Sequence, residues 1–128
     1  MKLLLDTHTF VWSYSDPERL SQNATKALNT PQNERFISIA SIWELSIKSA
    51  LGRFKLTKDA GEVLNTFLRD SKTKLLPIEY THALAVRDLP HHHGDPFDRL
   101  LIAQAQLEGM TLVSADSDLA SYKVELLW

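Results

Sequence analysis

The chain has 128 residues, of which 44% are hydrophobic and 23% charged, and it contains no cysteine. This composition excludes a disordered chain, and the length predicts a single domain over residues 1–128. Without cysteine, disulfides, thiolate zinc sites and cysteine nucleophiles are excluded, so a metal would need oxygen or nitrogen ligands. Because the formal net charge is −2, binding to nucleic acid would require a local basic patch.

The N-terminal apolar run is too short to direct secretion. It consists of Leu3-Leu4-Leu5 and ends at Asp6, whereas a signal peptide needs about seven to fifteen apolar residues. No other stretch approaches the roughly 20 apolar residues of a membrane helix. We therefore expect a cytoplasmic, soluble protein without membrane contact.

Short apolar runs alternate along the chain with segments of helical spacing. Strands are predicted at 3–5, 36–39, 74–78, 111–113 and 124–127. Helices are predicted at 9–14, 22–28, 40–51, 57–68, 81–86 and 96–108. The last of these has the clearest start, with Asp95 as N-cap and Pro96 as the first helical residue. This alternation predicts a three-layer α/β/α sandwich with a short parallel central sheet.

Carboxylates stand where such sheets bind ligands, outside the carboxyl ends of the strands. Asp6 follows the first strand and Asp116 follows the strand that ends at Val113. Asp98 lies in the first turn of the helix before that strand, and Glu44 lies on the helix after the second strand. Clustered carboxylates repel one another, and a divalent cation such as Mg²⁺ or Mn²⁺ offsets that cost. Such a site suits the hydrolysis of phosphodiesters.

Each of these acids also has a purely structural interpretation. Asp6 is a suitable N-cap for the helix that follows it. Glu44 precedes Lys48 by four residues, the spacing of a surface ion pair on a helix. Asp116 is an ordinary turn residue, and Asp95 either assists a site or only caps its helix. The functional interpretation therefore depends on the acids occurring together in one sequence.

Four motifs, in this order, resemble those of a known family. They are LLLDTH at 3–8, SIWELSIK at 41–48, DPFDRLLIAQA at 95–105 and LVSAD at 112–116. By these motifs the chain resembles the PIN-domain ribonucleases, and among them the VapC-type toxins of toxin–antitoxin pairs. The resemblance covers nearly the whole chain.

The resemblance implies an endonuclease for single-stranded RNA that depends on Mg²⁺ or Mn²⁺. A cognate antitoxin would hold it inactive, and the chain would associate as a homodimer. The family's four acidic positions correspond to Asp6, Glu44, Asp98 and Asp116. In the family, Asp6 and Asp98 would bind the metal directly, and Glu44 and Asp116 would complete or tune the site. Hydroxyls that hold such carboxylates would come from Thr7 and Ser114, with Asp95 as a possible auxiliary acid.

Cations for RNA binding are expected in one basic stretch. Lys48, Arg53 and Lys55 lie there with no acid among them, and Arg99 is a second candidate, for phosphate or for a structural ion pair. The loop His91–His93 is expected at the rim of the acidic cleft rather than as a dedicated metal site.

Two other functions agree less well with the sequence than a nuclease does. A phosphoaspartyl enzyme of the haloacid dehalogenase type needs a second Asp two residues after the first, where this chain has His8. A noncatalytic PIN-like binding module with an inactive acidic site would be expected to lack one of the four acids, and all four are present.

Overall fold

A computed structural model describes residues 1–53 and 60–128. Its strands are β1 (Lys2–Leu5), β2 (Glu34–Ser38), β3 (Lys74–Leu76), β4 (Thr111–Val113) and β5 (Leu126–Leu127). Its helices are α1 (Thr7–Ser15), α2 (Gln22–Asn29), α3 (Ile39–Ala50), α4 (Ala60–Ser71), α5 (Tyr80–Ala85) and α6 (Pro96–Glu108). These strands form one parallel sheet in the order β3-β2-β1-β4-β5.

Strand β1 lies at the centre of the sheet, and residues of the helices bury both of its faces. Successive side chains of a strand point to opposite faces, and here Leu4 faces one core while Leu3 and Leu5 face the other. The Leu4 face packs against residues of α6, including Leu101. The opposite face packs against α1, α2 and α4, with Phe67 among the contacts. The predicted three-layer α/β/α sandwich is therefore confirmed.

The boundaries of α6 agree with its sequence signals. The side chain of Asp95 accepts hydrogen bonds from the backbone N–H groups of Phe97 and Asp98, and Pro96 is the first helical residue. The helix ends at Gly109, whose φ of 64° is the left-handed conformation that glycine adopts without strain.

Other boundaries differ from the predicted ones. Ile39 begins α3 instead of ending β2, because the Ser38 hydroxyl caps the helix by accepting from the Ala40 N–H. The last strand is shorter than predicted, and β3 ends at Leu76. The predicted cap of the fourth helix, Thr57, lies outside the described residues.

Within residues 1–53 and 60–128, none of the helices has the length and apolar character needed to cross a bilayer.

Candidate active site

The site lies at the switch point of the sheet. From β1 the chain proceeds to β2 and β3 on one side, and it later returns to β4 and β5 on the other. The carboxyl ends of β1 and β4 therefore border the crevice where such sheets bind ligands. The backbone N–H of Asp6 donates to the Val113 carbonyl at 3.1 Å, and the Thr9 hydroxyl donates to the same carbonyl at 2.9 Å. These bonds fix Asp6 at the junction of the two strands.

Asp6 is 7% exposed and serves as the N-cap of α1. Its Oδ1 accepts a 2.7 Å hydrogen bond from the backbone N–H of Thr9. The capping interpretation is thus confirmed. A carboxylate has two oxygens with several acceptor positions, so a cap and a metal ligand are compatible in one residue.

Glu44 is held at both oxygens by hydrogen-bond donors. Its side chain is 5% exposed, Oε1 accepts from the Thr7 hydroxyl at 2.5 Å, and Oε2 accepts from Lys48 Nζ at 2.5 Å. The predicted ion pair with Lys48 is present, although Glu44 is buried instead of lying on the surface. Two neighbouring elements, α1 and α3, are connected through this carboxylate.

Asp98 lies in the field of the other acids. Burial, followed by the negative charges of Asp95, Asp6 and Glu44, raises the pKa of Asp98 from 3.8 to about 7. The structure therefore brings four of the predicted carboxylates into one region. The charges of Asp95, Asp6 and Glu44 all oppose the ionisation of Asp98.

The donor set fits a hard divalent cation, because its members are carboxylate oxygens under mutual repulsion. Among the residues that the structure describes, no three acidic or imidazole side chains lie close enough together to enclose an ion. Mg²⁺ commonly uses one or two carboxylates and completes its shell with water and phosphate oxygens. The assignment of Asp6 and Asp98 to such an ion stays a prediction.

Asp95 has a defined structural role. Its Oδ1 accepts from the N–H groups of Phe97 at 2.9 Å and of Asp98 at 3.0 Å, so it caps the helix that carries Asp98. Its charge also raises the pKa of Asp98. Its role as a ligand stays a prediction.

Asp116 and Ser114 follow β4 at the same end of the sheet. The Asp116 N–H donates to the Ser114 hydroxyl at 3.1 Å, and Asp116 Oδ1 accepts from the Asp118 N–H at 3.0 Å. Asp116 is exposed, and among the described residues it is not one of the charges that shift the pKa of Asp98. The catalytic role of Asp116 and the supporting role of Ser114 stay predictions.

The prediction that Arg99 binds RNA is wrong, because its guanidinium is buried and unavailable to RNA. The residue is 6% exposed. Its guanidinium donates hydrogen bonds to the carbonyls of Val86, Leu89 and Pro90 and to the Tyr122 hydroxyl. These four acceptors also replace the predicted ion pair. Arg99 therefore stabilises the segment before α6.

Of the remaining basic candidates, Lys48 lies in the last turn of α3 and Arg53 follows that helix. Lys48 is paired with Glu44, and the exposed Arg53 donates its backbone N–H to the Lys48 carbonyl at 2.9 Å. Lys55 lies outside the described residues. The roles of these three cations in RNA binding stay predictions.

Sequence analysis did not single out Tyr122, although it lies close to the acidic region. Its hydroxyl is 2.8 Å from Nδ1 of His93, and Nε2 of His93 is 3.5 Å from Oδ2 of Asp98. Tyr122 follows Asp98 by 24 positions, and no helical or strand periodicity relates residues that far apart. The position of His93 agrees with the expectation that its loop borders the acidic cleft.

A parallel sheet covered on both faces, with carboxylates gathered at its switch point, defines an α/β domain with an acidic active-site crevice. The chain belongs to the PIN-domain family, whose family model matches residues 3–125. The family inferred from the four motifs is thereby confirmed.

Three relatives show the extent of the similarity. Ribonuclease VapC22 of Mycobacterium tuberculosis (strain ATCC 25618 / H37Rv) is 30% identical over 122 residues, which cover 94% of this chain and 92% of that protein. The structure of VapBC2 from Rickettsia felis bound to a promoter DNA fragment matches with a TM-score of 0.76 at 18% identity, covering 98% of this chain and 97% of the other. VapBC-1 from nontypeable Haemophilus influenzae matches with a TM-score of 0.60 at 16% identity, covering 98% and 96%. The two structures share the fold.

Proposed function

We propose that this protein is a metal-dependent endoribonuclease that hydrolyses phosphodiester bonds in single-stranded or looped RNA. The observation that carries the proposal is the group of carboxylates at the switch point, whose burial and repulsion raise the pKa of Asp98 to about 7. Repulsion of this kind is costly unless a cation binds there. The similarity to a relative named Ribonuclease VapC22 supports RNA as the substrate.

The cofactor of this reaction would be Mg²⁺ or Mn²⁺, which Asp6 and Asp98 would hold. When bound, the ion supplies an activated water and neutralises charge on the phosphodiester. Glu44 supports the site from the interior, where Thr7 and Lys48 fix both of its oxygens. Asp116 completes the acidic set from its exposed position after β4. Cleavage leaves a 5′-phosphate and a 3′-hydroxyl.

Binding of RNA beside an acidic region requires cations close to it. Lys48 is a candidate because its ion pair with Glu44 places it beside the acidic region and its side chain is 26% exposed. Arg53 and Lys55 follow it in the chain and extend the basic stretch. Together they form a local basic stretch in a chain whose net charge is −2.

The biological role that we propose is that of the toxin in a toxin–antitoxin pair. Structures named for VapBC proteins share this fold across nearly their whole length, which supports a cognate antitoxin as partner. We further propose a single nuclease domain over residues 1–128 that associates as a homodimer and acts in the cytoplasm.

Incubation of the purified protein with a mixed RNA pool and Mn²⁺ tests this function. We expect fragments with 5′-phosphate ends that are abolished by EDTA and by Asp6→Asn. Asp70→Asn is the matched control, since Asp70 is an exposed carboxylate on α4. If the folded wild type binds Mn²⁺ but leaves every RNA in the pool intact, the noncatalytic binding module is favoured instead.

A further inference from the structure

The hydroxyl of Tyr122 has a complete set of hydrogen-bond partners. It accepts from Nη1 of Arg99 at 3.1 Å and from the backbone N–H of His93 at 3.3 Å. A tyrosine hydroxyl has one proton to donate and two lone pairs that accept, so these two donors occupy both lone pairs. Its proton is therefore directed to the third neighbour, Nδ1 of His93, which is 2.8 Å away.

This arrangement determines the tautomer of His93. A ring nitrogen that accepts a hydrogen bond carries no proton, so the proton of the neutral imidazole resides on Nε2. Arg99 contributes because its guanidinium is anchored by the carbonyls of Val86, Leu89 and Pro90 and has no freedom to leave Tyr122. The Arg99–Tyr122–His93 chain thus presents an Nε2–H donor of fixed orientation.

The donor of His93 is directed at the acidic region. Nε2 is inaccessible to solvent and makes no hydrogen bond within the described part of the chain. The Oδ2 atom of Asp98 is 3.5 Å away, slightly beyond hydrogen-bond distance. A buried N–H group without an acceptor is unfavourable, and a small approach of the Asp98 carboxylate would satisfy it.

We propose that His93 is a positioning residue for Asp98. Its Nε2–H holds Oδ2 of the carboxylate and leaves the other oxygen for the divalent ion. Imidazole and hydroxyl partners of this kind orient metal-binding side chains, and their loss typically weakens metal binding or activity by about 10- to 100-fold. This inference rests on the proposed function, because it assigns His93 to the metal site of the same reaction.

Two measurements test the proposal. Nitrogen-15 NMR of the imidazole rings reports which nitrogen of His93 carries the proton in the wild type. Mn²⁺ titration by calorimetry reports the affinity of wild type, His93→Leu, His93→Gln and Tyr122→Phe without any RNA present. His91→Leu is the matched control, since His91 is an exposed residue of the same loop.

We expect the proton on Nε2 and a Mn²⁺ affinity that falls by about tenfold or more in His93→Leu. His93→Gln retains an N–H donor near the position of Nε2, so it should keep most of the affinity, and His91→Leu should keep all of it. Tyr122→Phe removes the hydroxyl that selects the tautomer, so protonation of Nδ1 should appear and the affinity should decrease. Tyr122→Phe therefore tests the proposal even if His93→Leu does not fold.

A proton on Nδ1 in the wild type would overturn the proposal, as would an unchanged Mn²⁺ affinity in folded His93→Leu and Tyr122→Phe. These results differ from a failure of the proposed function. A wild type whose Mn²⁺ affinity depends on His93 as proposed, but which cleaves no RNA, would refute the nuclease and leave the positioning role intact. A wild type that cleaves RNA while His93→Leu binds Mn²⁺ normally would do the reverse.

Discussion

The Thr7 hydroxyl lies 2.5 Å from Oε1 of Glu44 and joins the first residue of α1 to the middle of α3. The position of Thr7 is set by Asp6, the preceding residue and the N-cap of the same helix. One short segment after β1 therefore supplies a carboxylate to the site and fixes a second carboxylate from another helix. The spacing of the acids depends on this connection.

Thr7→Val should destabilise the protein, because it leaves Oε1 of Glu44 buried without its donor. The expected decrease in the free energy of unfolding is about 1–3 kcal/mol, the usual cost of an unsatisfied buried polar group. Thr7→Ser retains the hydroxyl, so its free energy of unfolding should decrease much less. Urea denaturation of the three proteins measures the difference, and equal midpoints for Val and Ser would show that the bond contributes nothing.

Lys48→Met should lower stability more than a matched change at an exposed ion pair. Lys48 neutralises a carboxylate that is 5% exposed, whereas Lys74 pairs with Glu34 on the surface, where both side chains are at least 45% exposed. Surface pairs contribute about 0–1 kcal/mol. Removal of one partner from a buried pair costs more, because a buried charge loses its counter-ion. Thermal unfolding of Lys48→Met and Lys74→Met compares the two, and equal losses would contradict the burial of Glu44.

Asp98→Asn should stabilise the metal-free protein at alkaline pH. The pKa of Asp98 is about 7 in the folded protein and near its ordinary 3.8 when unfolded, so between these values the folded state binds more protons. Stability therefore falls as pH rises from about 4 to about 7 and remains reduced above that range. Asparagine removes the penalty, so the variant should exceed the wild type above pH 7, by at most a few kcal/mol, and match it at pH 4.

Asp116→Asn is the control for that experiment, since Asp116 is exposed and should show no comparable gain. Addition of Mg²⁺ should raise the melting temperature of the wild type more at pH 8 than at pH 5, because the ion binds the ionised carboxylates. Denaturation curves at several pH values give both results. A wild type whose stability relative to Asp98→Asn is independent of pH would contradict the repulsion.

Arg99→Leu should affect the stability of the protein, whereas Arg53→Leu should affect RNA binding. Arg99 satisfies three buried or half-buried carbonyl groups and a hydroxyl, so its loss should cost at least about 2 kcal/mol of stability. Arg53 is exposed, so its replacement should leave stability unchanged and raise the KM for RNA. Denaturation and cleavage kinetics separate the two effects. A folded Arg99→Leu of normal stability would refute the structural role.

The local signals of the sequence are sufficient to predict β1 and both ends of α6. Leu3-Leu4-Leu5 is apolar at consecutive positions because β1 is covered on both faces, and such a run is typical of a buried parallel strand. Asp95 and Gly109 mark the ends of α6 because their conformations satisfy the free backbone groups of a helix. These features could be predicted because they depend on residues that are close together in the sequence.

Side-chain direction and distant contacts were not predictable in this way. Asp98 and Arg99 are adjacent, but successive residues of a helix point about 100° apart, so one faces the acidic region and the other the interior. Tyr122 reaches His93 only through the folding of the chain around β4. Glu44 forms the ion pair with Lys48 that its spacing predicts, but it is buried instead of lying on the surface, and its catalytic role stays a prediction.

The most direct test of the account is single-turnover cleavage of one target RNA by wild type and Asp98→Asn across a Mn²⁺ titration. We predict that Asp98→Asn is folded and at least as stable as the wild type without metal. Its cleavage rate should fall by more than the roughly 10- to 100-fold that follows the loss of an outer-shell partner. Equal rates and equal Mn²⁺ dependence in the two proteins would contradict the assignment of this carboxylate, and with it the acidic crevice as the nuclease site.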